Sequence, residues 1–299
     1  MSARPGPVGA VAPGASLEER LERGDVIHFP VCPFPLSQGD ERAFLLEQRL
    51  AGRAHKNISY DPSTGKTGGF LRRSPEQAER LRALLASFAE TATSWLTRTL
   101  PRYARSWQRD RVSFRPEEEA TRKLRLKARN DLLHVDAFPS RPTRGYRILR
   151  LFANVNLTEP RIWVTSDPFA RLLDRYKDEV GLPSRQVLGW LQRVRQGFLG
   201  IFSPGQRRRT AYDSFMLRFH DFLKANDDFQ ERSSKRFWSF EPGCAWMVFT
   251  DTASHAALRG RFALEHSYFV APEDLVLPAE SPPALLERAC GMPVLERAA

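Results

Sequence analysis

The chain has 299 residues, 41% of them hydrophobic, with a formal charge of +11 and a pI of about 10.0. That much apolar content excludes global disorder, and the length suits one large β-rich domain with helical additions or two small domains. Three scattered cysteines, Cys32, Cys244 and Cys290, exclude a disulfide framework and a zinc site and point to a reducing, cytoplasmic compartment, while the basic surface asks for an anionic partner.

Residues 1–24 read as a flexible Pro/Gly/Ala-rich tail ending in a short helix, with no signal peptide. Residues 25–36 read as an extended edge segment broken by Pro30, Pro33 and Pro35, and 55–73 as loop. A helix starts at Ser74 as N-cap, with Pro75 in its first turn and Gln77 completing a capping box. Leu81, Leu84, Leu85, Phe88, Trp95 and Leu96 give it one apolar face, and Pro101 ends it. From 111 onward, RVSFRP, DLLHVDAF, YRILRLFANVNL and RIWVT read as strands. Helices are predicted over 168–182, 184–202 and 211–225, followed by strands at 235–241, 245–250 and 261–270. No stretch is long and apolar enough to span a membrane.

This order predicts a mainly β fold with helices (α+β): a double-stranded β-helix, or jelly-roll, core with packed helices. The expected organisation is a single domain over 25–278 with a helical insert at about 168–226, and a C-terminal tail over 279–299.

Within that pattern, His134-Val135-Asp136 carries chemistry. On a strand, residues i and i+2 face the same side, so His134 and Asp136 can meet one ion. Two histidines and one carboxylate on one face of an octahedron form the facial triad of non-haem iron(II) oxygenases, with three positions left open. Of the other histidines, His255 follows the strand 245–250 and is the best placed; His220 lies in a predicted helix, where packing is the simpler role.

Such a centre commonly works with 2-oxoglutarate, whose far carboxylate needs a fixed cation, and the planar fork of arginine suits it. Arg150 stands on an apolar strand 16 residues after His134 and is favoured; Arg261, six residues past His255, is the alternative. Arg147 lies on the opposite face of the same strand by parity. A structural ion pair would also explain Arg150.

The segment HVDAFPSRPTRGYRILRLFANVNLTEPRIW, together with HKNISYDP, SFRP, YDSFMLRFHDFLK and SHAAL, resembles the Kdo 3-hydroxylases of lipopolysaccharide biosynthesis. Kdo is 3-deoxy-D-manno-oct-2-ulosonic acid. The resemblance implies an iron(II) dioxygenase that consumes 2-oxoglutarate and O2, with ascorbate as a supporting reductant, and hydroxylates C3 of a Kdo unit on lipid A. It also implies that Arg115, Arg161 and Trp163 line the substrate mouth, the arginines for a carboxylate and the tryptophan as a stacking wall. Arg161 as a solvated strand end and Trp163 as plain core are the competing readings.

The implied partner is Kdo-bearing lipid A or another anionic glycolipid. The apolar stripe Val187, Trp190, Leu191, Val194, Phe198, flanked by arginines, would either lie on the cytoplasmic face of an anionic inner membrane or pack against the domain or a second subunit of a homo-oligomer. Nucleic acid is not an expected partner, although an oxygenase acting on nucleic acid and a non-catalytic membrane-surface module remain as alternatives.

Overall fold

A computed structural model describes residues 14–52, 55–118, 124–184 and 209–295. Two antiparallel sheets carry the fold. Its strands are β1 (Ile27–Phe29), β2 (Ile58–Asp61), β3 (Lys66–Gly68), β4 (Gln108–Arg115), β5 (Arg147–Asn154), β6 (Arg161–Pro168), β7 (Arg236–Phe240), β8 (Ala245–Phe249), β9 (Ala253–Arg259) and β10 (Ala263–Val270). The larger sheet runs β1-β8-β5-β10-β4-β2-β3 and the smaller β7-β6-β9, an arrangement in keeping with the jelly-roll core that the strand pattern predicts.

Strand alternation divides each sheet into two faces. On β5, Leu149, Leu151 and Ala153 join the apolar layer that also holds Leu81, Leu85, Ala92 and Leu96 of the helix α3 (Pro75–Thr99). The intervening residues turn the other way, and Phe152 joins Trp163, Trp246, Val248, Ala253 and Ala257 in a core between the two sheets. On the far side of the small sheet, Val164 and Ala256 pack with α4 (Phe169–Val180), α5 (Ala211–Ala225), α6 (Asp227–Arg232) and α7 (Pro282–Cys290). The protein is therefore a sheet pair held between two helical layers. Arg147 turns to the outer face, as its parity predicts, and its guanidinium Nε donates 2.7 Å to Asp251 Oδ2 in full burial.

Several expectations need correction. The tail over 1–24 is not free along its described part: α1 (Leu17–Glu22) is closed by a Ser16–Glu19 capping box, and Leu21 is buried. Glu22 accepts from Tyr103 Oη and from the backbone of Val276 and Leu277, which ties that helix to the chain's other end. Residues 55–73 contain the β2–β3 hairpin rather than loop alone, and α2 (Gly39–Leu46) had no clear apolar period to announce it. Ser74 does cap α3, but Gln77 turns its side chain to the backbone of Arg73, so the reciprocal half of the box is missing. DLLHVDAF forms no strand; one bridge, His134 to His255, is its sheet pairing. The segment after 278 is docked by Leu286 and Val294. The predicted helix at 184–202 lies outside the described residues apart from Ser184, which is not helical. No described helix is long and apolar enough to cross a membrane.

Candidate metal centre and its cavity

The single bridge of the 131–138 segment sets the site. His134 and His255 exchange backbone hydrogen bonds at 3.1 and 2.9 Å, and the Asp136 amide donates 2.7 Å to the Thr250 carbonyl. These bonds pin His134 and Asp136 against β9 and the turn before it. Each imidazole then spends one nitrogen on backbone: His134 Nδ1 lies 2.7 Å from the Leu132 carbonyl and His255 Nδ1 2.9 Å from that of Ala253. A carbonyl fixes Nδ1 as the protonated nitrogen, so Nε2 carries the lone pair in both rings.

Ligand atoms of His134, Asp136 and His255 fall within 4.8 Å of one another, and all three residues are buried. His134 Nε2 and Asp136 Oδ1 are 3.6 Å apart, beyond good hydrogen-bond range. Burial pushes both histidines below their ordinary value, toward the neutral form that binds a metal. Burial would also raise the Asp136 carboxyl, but the Arg150 guanidinium together with the His134 and His255 rings outweighs it and holds the group well below the usual carboxylate range. Two neutral nitrogens and one carboxylate, without a thiolate, suit iron(II) and leave half an octahedron for other ligands.

Around this triad lies a cavity of about 330 Å³, within the range that holds a small-molecule ligand. Its walls are the inward-facing strand positions: Arg111, Ser113 and Arg115 on β4, Arg150 on β5, Arg161 and Trp163 on β6, Glu265 and Ser267 on β10. Alternation thus explains why a strand as apolar as β5 carries one charged residue inward.

Arg150 is already engaged. Its Nη2 lies 2.8 Å from Asp136 Oδ2, a contact that falls short of hydrogen-bond alignment, and its Nη1 donates to Glu265 Oε1. Glu265 Oε2 in turn accepts from Arg115 Nε and Nη2 at 3.0 and 2.7 Å. Asp136, Arg150, Glu265 and Arg115 therefore form a chain of alternating charge that begins at the carboxylate of the candidate triad. The expectation that Arg150 stands ready as a carboxylate anchor is modified: the side chain orients Asp136 and is oriented by Glu265.

Arg161 and Trp163 sit deeper than a substrate mouth. They are 2% and 3% exposed, so neither is a solvated strand end. Trp163 stacks on the His255 ring with centroids 5.3 Å apart and a 19° tilt, and meets Phe152 and Trp246 edge-on. Arg161 precedes it on the same face, and its Nη1 donates 2.6 Å to the Gly260 carbonyl. Gly260 has φ +110°, and a Cβ there would stand 2.7 Å from the Arg161 Cα, so only glycine lets the chain pass so close. Arg261 does not reach the cavity: it is exposed, with its guanidinium 4.9 Å from the Phe262 ring. Its place one residue after Gly260 and before the positive-φ Phe262 turns it away from the barrel interior.

Three wall residues escaped the sequence reading. Glu265 carried no motif. His220, taken as packing, meets the His134 ring edge-on with centroids 4.9 Å apart and bonds the Val135 carbonyl, which stiffens the segment between His134 and Asp136. Lys224, one turn further along α5, also lines the cavity; the four-residue spacing from His220 is the signal that could have found it.

The model of the 3-deoxy-D-manno-oct-2-ulosonic acid (Kdo) hydroxylase family matches residues 9–293. No curated protein sequence matches the chain. Among solved structures, the apo form of the Kdo hydroxylase KdoO, described as a non-haem Fe(II) alpha-ketoglutarate-dependent dioxygenase, is 34% identical with a TM-score of 0.81, over 94% of this chain and 91% of that one. Its cobalt(II) complex gives a TM-score of 0.82 and its complex with alpha-ketoglutarate and Fe(III) 0.80, at the same identity and coverage. The chain belongs to the Kdo hydroxylase family.

Proposed function

We propose that this protein is an iron(II) and 2-oxoglutarate-dependent dioxygenase that hydroxylates C3 of a Kdo unit carried on lipid A. The observation that carries the reading is the buried triad His134, Asp136 and His255 opening into an arginine-walled cavity. Kdo lacks an oxygen at C3, and that methylene is where a hydroxyl can be added. In the balanced reaction, one atom of O2 enters the sugar as the new hydroxyl and the other enters succinate, with release of CO2. The C–H carbon and 2-oxoglutarate each give two electrons to O2.

When bound, the iron supplies the site at which O2 is reduced. The rest is the work of the chain. His134, Asp136 and His255 hold three positions and leave three open. Arg150 fixes the Asp136 carboxylate through Oδ2. Arg161 takes the far carboxylate of 2-oxoglutarate: it lies two residues before Trp163, on the strand face that covers His255, deep in the sheet pair. Arg115 and Arg150 add positive potential along that wall, and Trp163, Phe152 and Trp246 keep water from it. The opening is basic as well, with Lys56, Arg111, Lys127 and Arg141 around it, which suits an anionic sugar and the phosphates of lipid A. A lipid-linked substrate would bring the enzyme to the cytoplasmic face of the inner membrane as a peripheral protein.

Turnover of Kdo-bearing lipid A under 18O2 tests the assignment. One labelled oxygen at C3 of the sugar, read by mass spectrometry after mild hydrolysis, is the expected product. Label in succinate alone, with unmodified Kdo, would remove the substrate assignment.

A further inference from the structure

Lys224 is a buried cation without a counter-ion among the described residues. It stands in the last turn of α5, is 2% exposed, and lines the cavity beside His134 and His220. Its Nζ donates 3.1 Å to the Lys127 carbonyl. Among the described residues no carboxylate comes within ion-pair distance of it, although the nearby Lys127 reaches out to Asp221 at 2.6 Å. An ammonium has three donors, and holding α5 to the turn at Leu126–Ala128 uses one of them. Buried charges are ordinarily paired, because leaving one unpaired is costly. Burial also drags this ammonium from 10.5 down to about 8, and the negative Asp136 opposes that shift without cancelling it.

Inside the rim of Lys56, Arg111, Lys127 and Arg141, the cavity's deeper cations fall into two sets on different elements. Arg115, Arg150 and Arg161 come from β4, β5 and β6, and two of them already share Glu265. Lys224 comes from α5, on the side of the triad that His220 occupies, with Lys56 close enough to add its charge.

The substrate has one feature that needs such a group. A 3-deoxy-2-ulosonic acid carries its carboxylate on C2, the neighbour of C3, so that carboxylate lies about 2.5 Å from the reacting carbon. Wherever C3 is presented to the metal centre, an anion follows it into the burial zone. We infer that Lys224 is the subsite for the sugar's carboxylate, pairing with it at the metal centre and so selecting 2-ulosonic acid units and setting C3 toward the triad. This rests on the functional reading above.

The test compares two lipids and two proteins. Kdo-bearing lipid A and its carboxyl-reduced counterpart, in mixed micelles, are offered to iron-loaded wild type and Lys224→Met; succinate formation gives KM and kcat, and anaerobic equilibrium binding gives affinity. Wild type should favour the native lipid by roughly tenfold to hundredfold, the size of one charge-assisted contact. Lys224→Met should raise KM for the native lipid by that factor and lose the preference between lipids, and Lys224→Arg should restore part of it. The ratio is taken within one protein, so a loss of folded enzyme does not move it. A Lys224→Met enzyme that still prefers the native lipid as strongly as wild type overturns this inference and leaves the functional reading standing. A wild type indifferent to the carboxyl group does the same. A wild type that neither binds Kdo-lipid nor makes succinate with it overturns both.

Discussion

Arg147 and Arg150 stand three residues apart on β5 and face opposite ways, and their surroundings separate what holds the fold from what performs its chemistry. Arg147 is fully buried on the outer face, where Asp251 and Thr252 accept its hydrogen bonds and its guanidinium lies 4.5 Å from the Phe249 ring. It does not line the cavity around the triad. Arg150 faces inward, contacts Asp136 of the candidate triad on one side and Glu265 on the other, and lines the cavity. The same residue type on one strand is a structural rivet in the first case and part of a site in the second. The difference is set by parity alone.

The comparison can be broken in order of expected effect. Asp251→Asn leaves Arg147 as a buried cation with a weakened partner, and a loss of about 3–5 kcal/mol in stability follows from breaking such a pair. Chemical denaturation should show that loss, while the protein that remains folded keeps its KM for 2-oxoglutarate. A wild-type stability would mean that the outer pair is no rivet. Glu265→Gln reverses the pattern. It removes the negative charge shared by Arg115 and Arg150, and cosubstrate KM should rise by about tenfold with a weaker hold on the metal, read by cobalt(II) titration, for a stability change of about 1–2 kcal/mol. Unchanged cosubstrate and metal affinity would make Glu265 a rivet too. Arg261→Ala gives the smallest effect: the side chain is exposed and away from the cavity, so stability should move by less than about 0.5 kcal/mol and turnover not at all. A large rise in cosubstrate KM for that variant would return Arg261 to the site.

Much of this was written in period-two spacing. The inward Arg150 and the outward Arg147 follow from alternation, and the strand that carries Arg161 and Trp163 was read near its true bounds. What alternation cannot give is depth. In sequence Arg161 reads as a mouth residue or a strand end and Trp163 as a mouth residue or plain core; the close pass of Gly260 and the stacking over His255 put both inside the sheet pair. Nor does it show what a helix brings across from another layer. Lys224 reads as a favourable cation at a helix C-terminus, and only the docking of α5 against the 126–138 segment turns it into a cavity wall. The segment that carries His134 and Asp136 was misread as a strand because its apolar residues serve a neighbouring core, through Leu133 and Val135, rather than a ladder.

The most direct measurement is succinate release from 2-oxoglutarate by iron(II)-loaded protein, with and without O2 and Kdo-bearing lipid A, for wild type and His134→Ala. Succinate that requires oxygen and Kdo-lipid together and vanishes in the variant is the predicted result. No succinate under any of these conditions, from wild-type protein shown to be folded and to hold iron, would contradict the account at its centre.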